Sequence, residues 1–237
     1  MSEKPLHILT LGAHAADQEL SAGMVIAKAT RVGHQATILS LTPGEKGHPR
    51  LDAQTYARQK IAEAEQCARL LGAQSRLLAY GDVTLPVNEE IIFEVADIIR
   101  ALKPDVLITH PVHSIHKDHR NAHRIALDAV FYAALPRIER ADPAHRIGRL
   151  FFSENWEDME GYEPDIYIDT TEVFDQYCEA LASFELWHGG TGWPYADYYR
   201  SLARMRGCLG FGLRGTYAAT LARPKEARVL RSAGLPF

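Results

Sequence analysis

The chain has 237 residues, of which 46% are hydrophobic and 24% charged, and its formal net charge is -4. This balance is typical of a folded globular protein and excludes an intrinsically disordered chain. The slight acidity argues against nucleic acid and membrane surfaces as partners, and no apolar run reaches the length of a transmembrane helix. Because the N-terminal residues do not resemble a signal peptide and the three cysteines are scattered, we expect a cytoplasmic protein.

Short apolar runs alternate with helical patterns along the chain. The patterns predict strands at 6–13, 36–41, 76–80 and 106–109, and helices at 18–32, 53–71, 88–103 and 117–134. Further strands are predicted at 150–154 and 165–169, and further helices at 171–187 and 195–206. The alternation predicts an α/β fold, a Rossmann-like and mostly parallel sheet with helices on both faces and a less regular C-terminal part. We expect residues 1–237 to form one domain.

The loop after the first strand carries His14 and Asp17, three residues apart. Ligands of open parallel sheets bind beyond the carboxyl ends of the strands, where this loop lies. A neutral imidazole and a carboxylate are good zinc ligands. The alternative interpretation is a histidine packed against a helix start, with Asp17 interacting with the amides of the first turn.

Five histidines follow the fourth strand. Two of them, His116 and His119, lie with Asp118 where the loop enters a helix. Such a cluster is hard to explain as packing, because buried polar side chains are rare unless they are paired or ligating. His113 and His123 could instead be solvated or capping residues. Together the two loops offer three metal ligands and a position for water, which is the arrangement of catalytic zinc.

The loop after the second strand, at 41–50, contains Glu45 and Arg50 beside several glycines. The glycines permit backbone turns that other residues resist. This loop would overhang the same edge of the sheet, so its charged residues could reach the site. A glycine turn with surface charges is the alternative interpretation.

The two His-containing loops together resemble the PIG-L/LmbE-like family of zinc-dependent de-N-acetylases. The family motif A-H-P-D-D stands here as A-H-A-A-D at 13–17, and H-x-D-H-R stands as H-K-D-H-R at 116–120. The resemblance implies a homo-oligomer acting on a small molecule. It implies these roles: His14, Asp17 and His119 as zinc ligands, His116 as oxyanion stabiliser or proton donor, Asp118 as a residue that orients a histidine, and Arg50 as a substrate contact.

One position departs from the family motif: Ala16 replaces the aspartate that would deprotonate the attacking water. General-base assistance is worth about a hundred- to ten-thousand-fold in rate. Glu45 could serve as the base instead. The chain could also be a metal-dependent hydratase or lyase acting on a small unsaturated carboxylate, resembling 4-oxalomesaconate hydratase, or a metal-binding protein with little activity. The leading hypothesis is a zinc-dependent hydrolase that deacetylates an N-acetylated small molecule, such as an N-acetylglucosamine derivative.

Overall fold

The computed structural model describes residues 4–224, which build a seven-stranded sheet. The strands are β1 (His7–His14), β2 (Gln35–Thr42), β3 (Gln74–Leu77), β4 (Val106–Thr109), β5 (Arg149–Ser153), β6 (Ile166–Asp169) and β7 (Ala218–Ala222). Their order across the sheet is β3-β2-β1-β4-β5-β7-β6. The first five strands are parallel, and β7 is antiparallel to both β5 and β6. The predicted Rossmann-like, mostly parallel sheet is confirmed, and the predicted domain boundaries extend beyond the described residues at both ends.

Helices cover both faces of this sheet. They are α1 (Asp17–Arg31), α2 (Ala53–Leu70), α3 (Glu89–Leu102), α4 (Lys117–Ala133), α5 (Phe174–Leu181) and α6 (Tyr195–Phe211). Helices α3 and α4 pack with Leu9, Leu39 and Leu107 into one hydrophobic core. The other helices pack with Ile8 and Ile38 on the opposite face. Since successive strand residues point to opposite faces, strands buried on both faces are mostly apolar, with a few buried threonines and serines.

Helix boundaries follow local capping chemistry. The Asn88 side chain accepts a hydrogen bond from the Ile91 amide at the start of α3, and Lys103 ends that helix in a left-handed conformation just before Pro104. The buried Arg100 donates hydrogen bonds to carbonyl oxygens at and beyond the end of α4, those of Tyr132, Ala133, Leu135, Ile138 and Asp142. Within residues 4–224, none of the helices combines the length and apolar character that crossing a membrane requires.

The structure corrects three predicted elements. Strand β3 occupies 74–77 rather than 76–80. The segment 171–187 is not one helix, because 3₁₀ turns at Thr171–Val173 and Glu185–His188 flank the short α5. Strand β7 was not predicted: its sequence AATLA has one β-branched residue and no alternation, and its five residues are all buried through pairing with β5 and β6.

The parallel strands β1, β2, β3 and β4 all end at the same edge of the sheet. The loops that follow them therefore meet there, as does the turn after β5. This edge carries the candidate site.

Candidate active site

The three predicted metal ligands lie together at this edge. His14 is the last residue of β1, Asp17 begins α1, and His119 lies in the first turn of α4. The Oδ2 atom of Asp17 lies 3.2 Å from Nδ1 of His14 and 3.3 Å from Nε2 of His119. One carboxylate oxygen thus lies between two imidazoles from distant parts of the chain.

A tight turn between β1 and α1 brings Asp17 back to His14. The backbone N–H of His14 donates to Oδ2 of Asp17 at 2.8 Å. Ala16 holds the turn in the left-handed region, at φ 91° and ψ -24°. This conformation costs an L-residue about 1–2 kcal/mol, with Asp and Asn tolerated better than Ala. Gly44, at φ 75°, packs against the turn from the neighbouring loop, and a Cβ there would lie 3.0 Å from Cβ of His14.

Asp158 fixes the orientation of two buried histidines. Its two carboxylate oxygens lie 2.7 Å from Nδ1 of His110 and 2.8 Å from Nδ1 of His119. Both Nδ1 atoms therefore carry a proton and donate it to the carboxylate. Nε2 of His110 accepts the Ala13 amide at 3.1 Å, so its lone pair is used. Nε2 of His119, by contrast, is buried and accepts no hydrogen bond within the described residues.

The donors gathered here could hold a metal ion. Each predicted ligand belongs to a set of residues whose ligand atoms lie within 4.8 Å of one another, and these sets are His14 with His116 and His119, Asp17 with His110 and His119, and His14 with Asp82 and Asp118. Bonds of about 2.0–2.2 Å in a tetrahedral site place neighbouring ligand atoms about 3.3–3.5 Å apart, close to the separations from Asp17 to His14 and to His119. The unpartnered Nε2 of His119 is costly in a buried position unless something binds it. Burial raises the pKa of Asp17, but its interactions with His119, His14 and His110 outweigh burial and keep the pKa well below its usual value. The carboxylate is therefore ionised, as a metal ligand must be.

Two acidic residues lie behind His14. Its Nε2 atom lies 3.1 Å from Oδ1 of Asp82 and 3.5 Å from Oδ2 of Asp118. Burial lowers the pKa of His14, but the charge of Asp17 and the contacts with Asp118, Asp17 and Asp82 outweigh burial and raise the pKa well above its usual value. Asp118 is fully buried and faces His14, the position expected of a residue that orients a histidine.

His116 lines the pocket in front of these residues. Its Nδ1 accepts the Asp118 amide at 3.2 Å, which leaves the proton on Nε2. Burial, followed by the charge of nearby His14, lowers the pKa of His116, so the neutral imidazole is favoured. A neutral His116 can donate one hydrogen bond from Nε2.

Two predicted site residues are not part of the pocket lining among the described residues. Oε1 of Glu45 accepts the Asp82 amide at 3.0 Å, so Glu45 supports the loop that carries Asp82 rather than facing the pocket. Arg50 is exposed, and its amide donates to the nearby His48 ring. The predictions of Glu45 as a substitute base and Arg50 as a substrate contact therefore lack geometric support, because the 41–50 loop turns these side chains aside.

The pocket also contains residues that sequence reasoning missed. Asp82 lies in the loop after β3, and Glu157 in a 3₁₀ turn after β5 that also carries Asp158. Burial, followed by the charges of Asp17 and Asp158, raises the pKa of Glu157 to about 7. Lys60 lines the pocket from α2 and is nearly buried. A lysine within the apolar spacing of a helix was a usable signal, whereas isolated acidic residues in loops gave none.

The protein thus has an α/β fold, and the edge of its sheet brings together His and Asp side chains that could hold a metal ion. Residues 9–130 match the family model described as PIG-L, GlcNAc-PI de-N-acetylase. The chain belongs to this family, which confirms the resemblance drawn from the two motifs.

Relatives of two kinds are similar to this chain. The diacetylchitobiose deacetylase of Thermococcus kodakarensis is 26% identical over 208 residues, covering 83% of this chain and 76% of the relative. The 4-oxalmesaconate hydratase of Pseudomonas putida is 26% identical over 217 residues, covering 84% and 79%. The crystal structure of the 4-carboxy-2-hydroxymuconate hydratase from Pseudomonas putida matches with a TM-score of 0.84 and 21% identity, covering 97% of this chain and all of that chain. At this identity the structural match shows a shared fold alone.

Proposed function

We propose that this protein is a zinc-dependent hydrolase of the de-N-acetylase type, acting on an N-acetylated small molecule such as an N-acetylglucosamine derivative. The observation that carries the proposal is the unpartnered, buried Nε2 of His119, which lies 3.3 Å from Oδ2 of Asp17, while Asp17 and His14 line an open pocket. Two imidazoles and one carboxylate with room for water match the ligands of catalytic zinc sites.

The residues present divide the chemistry of amide hydrolysis among them. His14, Asp17 and His119 would hold the zinc ion, which when bound lowers the pKa of water and polarises a carbonyl group. His116 donates from Nε2 to the oxygen that becomes negative when water adds to the amide carbon. Asp158 keeps His119 in the tautomer that has a free Nε2 lone pair.

The pocket lining favours an uncharged substrate that contains a sugar ring. It contains the acidic residues Asp17, Asp82 and Glu157, whereas Lys60 is its one lysine or arginine among the described residues. Such an acidic lining disfavours a substrate with several carboxylates and favours the ammonium group that deacetylation releases. The indole of Trp156 also lines the pocket, and aromatic rings offer a flat apolar surface to the C–H face of a pyranose.

A hydratase or lyase is the second candidate. The hydratase relative is as similar in sequence as the deacetylase relative, and Ala16 removes the base that the de-N-acetylase motif would provide. The buried ammonium of Lys60 is the group in the lining that could bind a substrate carboxylate.

Parallel assays of the zinc-loaded protein distinguish these functions. We expect acetate release from N-acetylglucosamine or diacetylchitobiose, loss of that activity on chelation, and recovery when zinc is added back. The measurement is acetate formation by proton NMR, with water addition to unsaturated di- and tricarboxylates followed in parallel by ultraviolet absorbance. Hydration without acetate release would establish the second candidate. Stoichiometric zinc with turnover of none of these substrates would instead favour a metal-binding protein with little activity.

A further inference from the structure

The backbone of Glu157 is anchored next to the metal-ligand cluster. In the 3₁₀ turn Trp156–Asp158, the Glu157 amide donates to Oδ1 of Asn155 at 3.2 Å. Its carbonyl oxygen accepts the Ile115 amide at 3.0 Å and the Ser114 hydroxyl at 3.2 Å. The turn is thereby attached to the loop that carries His116.

The Glu157 carboxylate faces the pocket from this anchored turn. Oε2 lies 3.5 Å from Nε2 of His119, and the side chain is 19% exposed. Within the described residues, its oxygens accept no hydrogen bond, although they lie at ion-pair distance from His119. The carboxylate is therefore available to a water molecule or substrate in the pocket.

The other lining carboxylates are already engaged. Oδ2 of Asp82 accepts the Lys46 amide at 2.9 Å, and Oδ1 faces Nε2 of His14. Oδ2 of Asp17 accepts the His14 amide and lies between the two imidazoles. Glu157 thus differs from Asp82 and Asp17 in having both oxygens free of backbone donors.

We propose that Glu157 is the general base of this site and supplies the carboxylate that Ala16 lacks. This inference rests on the proposed function. An O–H bond of water breaks as its proton passes to an Oε atom of Glu157, and the water oxygen forms a bond to the amide carbon. The carbonyl electron pair moves to oxygen, where His116 donates a hydrogen bond. The electron pair on this oxygen then re-forms the carbonyl as the C–N bond breaks with its electron pair on nitrogen, which takes the proton from Glu157. The amine and acetic acid leave, and acetic acid ionises in solution to acetate and a proton.

The first test compares the wild type, Glu157→Gln and Glu160→Gln, an exposed neighbour that serves as control. We expect Glu157→Gln to bind stoichiometric zinc while its kcat for acetate release falls about a hundred- to ten-thousand-fold. Adding Ala16→Asp to that variant should raise kcat at least tenfold above that of Glu157→Gln alone, because the second substitution returns a carboxylate to the position it has in the family motif. Unchanged turnover in Glu157→Gln, or loss of zinc in parallel with activity, would overturn the proposal.

A second readout does not depend on the natural substrate. Acetohydroxamate binds zinc through two oxygens and transfers its proton to a neighbouring base, so its Kd reports on that base without turnover. We expect Glu157→Gln, with full zinc content, to bind acetohydroxamate at least tenfold more weakly than the wild type in titration calorimetry. Equal affinity would refute the role of Glu157 whatever the substrate. Weakened affinity in a protein whose wild type releases no acetate would refute the proposed function and leave Glu157 as the base.

Discussion

Single side chains in this site act on more than one partner. Asp158 holds two imidazoles, with one oxygen on Nδ1 of His110 and the other on Nδ1 of His119. Burial raises its pKa, but the hydrogen bonds that His110 and His119 donate to it outweigh burial and hold the pKa well below the usual value. The carboxylate is fully buried yet ionised, so it fixes which nitrogen of His119 remains free.

Asp158→Asn should weaken zinc binding without removing a ligand. The amide can still contact His119, but it is uncharged and its NH₂ group cannot accept the second imidazole N–H. We expect the Kd for zinc to rise about ten- to a hundredfold, as is typical when a partner of a metal-bound histidine is changed. Competition with a chromophoric chelator measures this Kd. Asp97→Asn, which alters an aspartate paired with Arg140 at the surface, is the matched control and should bind zinc like the wild type; equal affinity for Asp158→Asn would contradict the account.

Among the helices and strands, the first turn of α1 is unusual because it contains a buried glutamate, Glu19. Oε2 of Glu19 accepts the Ala16 amide at 3.1 Å, while Oε1 has no hydrogen-bond partner among the described residues. Glu19 is fully buried, and burial raises its pKa to about 7 even though Lys60 opposes the shift. The first turn of α1 is thus most stable when Glu19 carries a proton.

This shift predicts a pH dependence of stability for the metal-free protein. Because the folded-state pKa is above the unfolded value of 4.5, the Glu19 contribution is fully present below pH 4.5 and is lost as the pH rises through 7. Glu19→Gln keeps an acceptor for the Ala16 amide and removes the charge. Relative to the variant, the wild type should lose about 3 kcal/mol of unfolding free energy between pH 4.5 and pH 8.

Urea unfolding at several pH values, in the presence of chelator, measures this difference. Glu65→Gln, an exposed position on α2, is the control and should follow the wild type at every pH. If the free energy of unfolding depended on pH in the same way for the wild type and for Glu19→Gln, the raised pKa of Glu19 would be contradicted.

The elements also show what local sequence can and cannot predict. Strands β1, β2 and β4 were predictable because they are buried on both faces and are therefore rich in apolar residues. Strand β7 was not, since its place between β5 and β6 depends on pairing with residues at least 49 positions earlier in the chain, beyond any local pattern. The segment 171–187 has helical spacing, but the chain turns at Ala182–Phe184 between α5 and the next 3₁₀ turn.

Over the whole molecule, the parallel sheet gathers distant residues at one edge. His14, Asp17 and His119 were predictable because two recognisable motifs carry them and strands β1 and β4 are neighbours. Asp82, Glu157 and Asp158 were not, because each is an ordinary acid in a loop whose importance depends on which strand it follows. The predicted homo-oligomer and cytoplasmic location stay predictions.

Zinc binding by His119→Ala tests the central claim most directly. The protein is stripped with chelator, titrated with zinc by calorimetry, and its bound metal is measured by elemental analysis. His34→Ala, at the opposite end of the sheet before β2, is the matched control. We predict one zinc ion per chain in the wild type and in His34→Ala, and none retained by His119→Ala after dialysis. A folded His119→Ala protein that still holds one zinc ion per chain would contradict the account.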